Sequence, residues 1–234
     1  MPFVSILTPV YNGVEYLETC VQSVLDQTFT DWELFIGING HGTSGGSAAE
    51  IAHRLKTFDP RIKVIVQPPP LKGKVESLND LMKHVTSPWV CLLDCDDKWH
   101  PKKLQYQIVA LMTEAKEAAV IGTQCEYFDE MTGTPCIPHG YIDPDVLETL
   151  NPVINSSAMI RADLCKWEYN TINNYIEDYY LWTEIVLAGH KLYNLPEILT
   201  YHRIHKISAF NSKNLSDAGI RERYIRLRNV SKAP

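Results

Sequence analysis

The sequence predicts an α/β protein: a mostly parallel central sheet with helices on both faces and a mixed or antiparallel extension toward the C-terminus. Three observations predict it. Short β-type apolar runs alternate with helically spaced apolar positions through residues 1–117, the pattern of parallel strands joined by right-handed crossovers. The run "WVCLL" at 89–93 is apolar at every position, as a strand covered on both faces must be. From about residue 118, "AAVIGTQCEYFDE" alternates and "MTGT" supplies a turn, so the period changes to that of a mixed extension.

Taken in order, residues 3–7 form an apolar strand that stops at Thr8-Pro9, and 14–27 carry Leu17, Val21, Val24 and Leu25 at helical spacing. A second strand over 33–38 leads into the loop "NGHGTSGG" and a helix over 47–56. The third strand, 61–66, is closed by Pro68, Pro69 and Pro70; "GKVESLNDLMKHV" is then a helix with Val75, Leu78, Leu81, Met82 and Val85 inward. The fourth strand ends in the acidic segment "DCDD". Later, a helix over 177–188 stops at Gly189, a good C-terminal signal, and "KLYNLPEILTYHRIH" supplies one or two more strands. No low-complexity linker divides the chain. The expectation is one domain of two lobes over 1–212 (1–117 and 118–212) and a basic helix or tail over 213–234.

Composition narrows the class. The 234 residues are 45% hydrophobic and 21% charged, with 22 basic against 28 acidic groups and a net charge of −6. Such a balance disfavours a nucleic-acid partner. No stretch approaches the ~20 apolar residues of a membrane span, and the N-terminal segment lacks the features of a signal peptide. Six cysteines without a Cys-x-x-Cys pair favour reduced thiols and a cytoplasmic setting.

In open α/β sheets, ligands bind beyond the carboxyl ends of the strands. Residues 8–12, 39–47 and 94–97 therefore converge on one edge. Asp94, Asp96 and Asp97 crowd like charges there, and a hard cation, Mn²⁺ or Mg²⁺, would relieve the repulsion and bridge to a diphosphate. The structural alternative is that one aspartate caps the helix beginning near Pro101. No G-x-G-x-x-G follows the first strand, and "GHGTSGGS" has Gly46 where a phosphate loop needs lysine. A haloacid-dehalogenase-like phosphatase would want Thr or Val at the position of Lys98.

Three segments, "VSILTPVYNGVEYLETCVQSVLDQTF", "LLDCDDKWHPKKL" and "IEDYYLWTEIVLAGHKLYNLPEILTYHRIH", together resemble family 2 glycosyltransferases from Val4 to about Ser208. The resemblance implies the GT-A fold, a Rossmann-like sandwich, and transfer of a sugar from a nucleoside-diphosphate sugar, uridine favoured, to a glycan, lipid-linked or protein acceptor. It implies that Thr8, Pro9 and Tyr11 line the base pocket, with Asn39 beside them, and that Asp94 sits near the ribose and diphosphate. It further implies that Asp96 is the main metal ligand with His205 in reach, that Lys72 and Lys74 approach the nucleotide, and that Asp178 is the catalytic base. Solvated lysines and an ordinary strand histidine are the bland alternatives. One departure is plain. The family usually has paired aspartates after strand two, and here Ile38-Asn39-Gly40-His41 stands instead. Asn39 donates and accepts hydrogen bonds but carries no charge.

Helical spacing separates the two acidic residues of the "IED" segment. Asp178, Leu181, Ile185 and Ala188 share one face, so Asp178 projects inward, while Glu177, Tyr180 and Glu184 share another and leave Glu177 free of the core. A single base opposite the leaving group predicts inversion. No Gln-x-x-Arg-Trp segment follows, which argues against processive polymer synthesis. The rival classes are a nucleotide-sugar-binding protein without catalysis and a metal-dependent phosphatase or nucleotidyltransferase. The basic tail, with Ile220, Tyr224 and Leu227 on one face, suits docking on the domain, on an anionic membrane surface or on a partner.

Overall fold

The first strand of the chain lies inside the sheet. β1 (Val4–Val10) runs parallel to β2 (Trp32–Ile38) on one side and β4 (Trp89–Leu92) on the other, and β3 (Ile62–Val66) extends the sheet beyond β2. The computed structural model describes residues 1–40, 46–68, 71, 73–168, 176–205 and 216–231. Parallel neighbours need long crossovers. These are α1 (Leu17–Leu25) behind a 3-10 turn at Val14–Tyr16, α2 (Gly46–Lys56) and α3 (Lys74–Met82).

β1 runs further than its pattern predicts. The expected stop at Thr8-Pro9 is not one, because Pro9 sits in register with Gly37 and the strand continues to Val10. β4 accompanies β1 only to Leu7. Pro9 therefore lies where β2 is its sole neighbour, an edge-like position that tolerates a missing N–H.

The second half comprises β5 (Lys98–Trp99), α4 (Lys103–Met112), β6 (Ala118–Asp129), β7 (Gly140–Tyr141), β8 (Met159–Arg161), α5 (Glu177–Leu187) and β9 (Lys191–Ile204). All its strands join the same sheet, in the order β3-β2-β1-β4-β8-β6-β9-β5, with β7 against β9. β8 is antiparallel to β4 and β6, whereas β9 is parallel to β6. The closing segment is one long strand. Its register slips between Asn194 and Ile198, around Pro196, whose ring cannot donate to the ladder. α5 ends as its sequence predicts: Gly189 takes φ 87° and the His190 N–H returns to the Ile185 carbonyl at 3.1 Å.

Alternation along the strands sorts the core into two layers. Val4, Ile6 and Val10 pack with Leu17 and Val21 of α1 and Ala52 of α2 on one face. Leu7 packs with Leu78 and Leu81 of α3 and with Trp182 of α5 on the other. α6 (Ala218–Ser231) closes the second layer against α5 and the 3-10 turn Pro144–Glu148. Its Ile220 and Tyr224 are buried. Arg221 pairs with Asp217, Arg223 with Glu184, and Arg228 with Asp145 and Glu148. Of the three surfaces the basic tail suits, this helix occupies the chain's own domain. Among the described residues no helix is long and apolar enough to cross a membrane.

Candidate functional site

The acidic segment follows β4 as a turn, closed by the Asp97 N–H to the Asp94 carbonyl at 3.0 Å. Each aspartate has its own protein partner. Asp94 accepts from Lys74 Nζ at 2.6 Å and from Asn155 Nδ2 at 3.0 Å. Asp96 faces His205 Nε2 at 2.9 Å. Asp97, only 1% exposed, meets His202 Nδ1 at 3.0 Å and accepts from the Arg203 N–H at 2.9 Å. Two histidines, a lysine, an asparagine and a backbone amide therefore face the three carboxyls from within the protein, beside whatever cation a bound diphosphate brings. No aspartate caps the next helix. β5 intervenes, and the N-cap position of α4 is Lys102 with no side-chain cap.

The three carboxyls are not alike electrostatically. Burial alone would raise Asp94, but Lys74 and the Asn155 amide hold it below the usual carboxylate range. Burial and the neighbouring Asp97 and Asp94 raise Asp96 above that range, partly offset by His205. Burial would lower the His202 imidazole, yet Asp97 outweighs it and raises it to about 9.

The strand ends beside this turn carry Thr8 and Asn39. Thr8 is fully buried and Asn39 is 3% exposed. Among the described residues neither Thr8 Oγ1 nor Asn39 Oδ1 has a hydrogen-bond partner, an arrangement that costs stability unless a ligand completes it. Pro9 is half-buried and Tyr11 exposed. The Tyr11 ring lies so close over Gly40 that a Cβ there would stand 2.3 Å from it, and Gly40 also needs its φ of 80°. Gly13, at φ 75°, lets the loop approach Cys95, whose Sγ donates to the Asn12 carbonyl at 3.1 Å. Burial pushes the Cys20 and Cys95 thiols up, so both are inert packing groups here. Lys72 and most of the glycine loop (41–45) lie outside the described residues.

Asp178 is half-buried in the first turn of α5 and accepts from Asn151 Nδ2 at 3.0 Å. Burial and the adjacent Glu177 raise its carboxyl to about 6, against the opposing pull of Lys74 and Asn151. Glu177 is not free of the core, which corrects the helical-face reading. It is 6% exposed and paired with Lys74 Nζ at 3.1 Å. Its partner is a cation on α3, which periodicity along α5 cannot reveal, and Tyr180 on the same helical face is buried too. Lys74 thus spans Asp94 and Glu177. Burial would lower its ammonium, but Asp94, Glu177 and Asp178 raise it well above the ordinary lysine value.

The metal expected on Asp96 and His205 finds one carboxylate and one imidazole facing each other. Among the described residues no group of three or more His, Cys, Asp or Glu side chains is gathered for a metal ion. Two protein donors suit a cation that takes its remaining oxygens from a diphosphate and water. The donor set fits a site completed by substrate, not a closed protein cage.

Sequence reasoning missed several supports. Asn155, in the 3-10 turn Asn155–Ser157, holds Asp94, and Ser156 Oγ accepts the Asp94 N–H at 3.1 Å. Arg203 donates to the Asp96 carbonyl at 3.0 Å and stacks over Tyr16 at 4.1 Å. Both depend on contacts between distant segments, and no local signal marks them.

The comparisons agree with this architecture. The family described as Glycosyl transferase family 2 matches residues 5–162, and the chain belongs to that family. It is 29% identical over 210 residues to EpsE of Bacillus subtilis (strain 168), provisionally described as a glycosyltransferase, covering 85% of this chain and 72% of that one. It is 27% identical over 221 residues to the Escherichia coli UDP-Glc:alpha-D-GlcNAc-diphosphoundecaprenol beta-1,3-glucosyltransferase WfaP, covering 92% and 83%. Residues 1–349 of S. aureus TarS, solved with UDP-GlcNAc, superpose with a TM-score of 0.73 at 14% identity over 98% of this chain and 65% of that one. The mannosyltransferase PcManGT from Pyrobaculum calidifontis, solved with GDP-Man and Mn²⁺, gives 0.66 at 16% identity over 88% and 58%. The fold is therefore that of GT-A glycosyltransferases, and the chain spans less than two thirds of the length of these two solved structures.

Proposed function

We propose that this chain is a metal-dependent, inverting glycosyltransferase that moves a sugar from a nucleoside-diphosphate sugar, uridine diphosphate favoured, to an acceptor hydroxyl. The observation that carries the reading is the position of Asp178 on α5, next to the Glu177 that Lys74 joins to the donor-side Asp94. A carboxyl raised to about 6 is ionised at neutral pH yet basic enough to accept a proton, the compromise general-base catalysis favours.

Thr8 and Asn39 meet the base, with Pro9 and Tyr11 as walls; Asp94 and Lys74 lie toward the ribose and diphosphate. Asp96 and His205 hold the cation, Mn²⁺ or Mg²⁺. When bound, that cation neutralises charge on the departing diphosphate. Asp178 orients the acceptor hydroxyl and takes its proton at the carboxylate as the new bond forms opposite the leaving group, which gives inversion. The WfaP name specifies a lipid-diphosphate-linked acceptor, and this supports a lipid-linked glycan as the first acceptor class to try, ahead of a free glycan or a protein. All six cysteines are free, which supports a cytoplasmic setting, peripheral to a membrane if the acceptor is lipid-linked.

Screening nucleotide sugars by thermal shift with Mn²⁺, then measuring turnover of the best binder, tests the reading. Release of nucleoside diphosphate is expected. Binding without turnover would favour a non-catalytic binding protein, and release of phosphate or pyrophosphate would favour a phosphatase or nucleotidyltransferase.

A further inference from the structure

Lys74 occupies an unusual place. It begins α3, where a helix dipole disfavours a cation, and its side chain is only 30% exposed. Two carboxylates from different parts of the fold offset that cost: Asp94 from the end of β4 at 2.6 Å and Glu177 from the first turn of α5 at 3.1 Å. Glu177 in turn is adjacent to Asp178. The donor-facing and acceptor-facing carboxylates would repel one another across the crevice without a cation between them.

We propose that Lys74 is a positioning residue that ties the donor-side Asp94 to the first turn of α5 and supplies the counterion under which Asp178 works as a carboxylate base. The proposal rests on the assignment of Asp178 as the base and goes beyond it by giving the ion triad Asp94–Lys74–Glu177 a task. That task is internal. Lys74 is committed to two protein carboxylates, so its first effect is on the charge state of the acceptor side and not on the phosphates.

The groups facing Asp178 set the sign of each change. Glu177 on its own helix disfavours its charge, Lys74 from α3 favours it, and the Asn151 amide donates to it. From α6, packed against α5, Arg223 is engaged with Glu184, and Arg221 with Asp217 and the Thr149 carbonyl. Removing the lysine must therefore raise the pH at which Asp178 ionises, and neutralising Glu177 must lower it. A purely structural role for the triad would not give opposite signs.

The test is a carboxyl-carbon NMR titration of the full chain, with the Asp178 signal assigned by its absence in Asp178→Asn. Lys74→Met, Lys74→Arg and Glu177→Gln are compared with wild type, and the acid limb of kcat/KM is measured in parallel. Lys74→Met should move the Asp178 midpoint up by ~1 unit or more, as loss of a nearby opposite charge does. Glu177→Gln should move it down, and Lys74→Arg should restore the wild-type value. The acid limb of kcat/KM should follow each shift. If Lys74→Met fails to fold, Lys74→Gln, which keeps a hydrogen-bond donor for both carboxylates but not the charge, takes its place and should give the same upward shift. An unmoved midpoint in the folded variants overturns the role given to Lys74, even where Asp178→Asn abolishes transfer. Full transfer by Asp178→Asn would instead overturn the base assignment itself, while the NMR shifts report the electrostatics independently of turnover.

Discussion

Asp178 and Glu177 are neighbours in sequence with different circumstances. Asp178 is half-buried, held by Asn151, and raised to about 6; Glu177 is buried in an ion pair. Asp178→Asn keeps the size of the side chain but cannot take a proton. Donor binding should survive while kcat falls by the ~10²–10⁴-fold typical of a lost general base. Activity should also fall as pH drops through about 6, because the base must be ionised to act and protonation removes it. Transfer near wild type in Asp178→Asn, assayed with titrated donor, would refute the assignment. The helix carrying both residues was legible from the spacing of Leu181 and Ile185, but spacing did not rank its two carboxyls: Glu177 is the more buried, paired with Lys74 from a different helix.

Elements were the most legible level. Helices α1, α3 and α5 show apolar positions at helical spacing, and β4 is continuously apolar; each occupies its expected place. What the pattern misreads are local exceptions that tertiary neighbours permit, such as Pro9 within β1. Lys103 on α4 is fully buried, donating to Gln107 Oε1 at 2.8 Å and lying 4.0 Å over the Trp99 ring. Gln107 passes the link on to the carbonyls of Ile121 and Ser157, which binds α4 to the turn carrying Asn155. Burial lowers Lys103 to about 8, with Cys91 opposing weakly. The folded state thus gives up this proton at lower pH than the unfolded chain, whose lysines ionise near ~10.4. Stability from this group should rise with pH between about 8 and ~10.4, where only the unfolded chain stays protonated. Below that window both states are protonated and the folded state bears the full cost, on the order of 3 kcal/mol. The difference in unfolding free energy, wild type minus Lys103→Met, should climb across the window in denaturant titrations. A flat difference would mean that Lys103 is better solvated than its surroundings indicate.

At the scale of the whole molecule, a chain of net charge −6 has to receive an anionic nucleotide at a sheet edge where it has gathered five carboxylates: Asp94, Asp96, Asp97, Glu177 and Asp178. The topology makes this edge by ending β1, β2 and β4 together, and that convergence was legible from the alternation of strands and helices. The internal pairing of the carboxylates was not, because His202, His205 and Asn155 arrive from the opposite half of the chain. On the proposed reading the base is met at the same edge. Asn39 Oδ1 and Thr8 Oγ1 lack partners among the described residues, and an amide side chain can receive a ring N–H while donating to the adjacent carbonyl, as uracil and guanine offer and cytosine, without a ring N–H, does not. UDP should therefore bind more tightly than CDP in a calorimetric panel, with GDP second, and tighter binding of CDP or GDP than of UDP would sink the preference. In the proposed function Asp96 carries the cation that lets the diphosphate approach. Asp97 is spent on His202 and Arg203, and Asp94 on Lys74 and Asn155. Among the described residues the Asp96 carboxyl meets the His205 imidazole and no lysine or arginine. On the proposed reading it is the carboxylate that takes the cation without dismantling the turn. Asp96→Ala should leave the fold and the metal-free affinity for UDP close to wild type, since the Asp94 and Asp97 anchors persist. It should abolish the Mn²⁺-dependent gain in affinity, a loss exceeding the ~10–100-fold that removal of an outer-shell support costs a metal site. Calorimetry with UDP, with and without Mn²⁺, on wild type and Asp96→Ala measures both quantities. An undiminished Mn²⁺ effect in the mutant would place the cation elsewhere or leave it to the diphosphate alone.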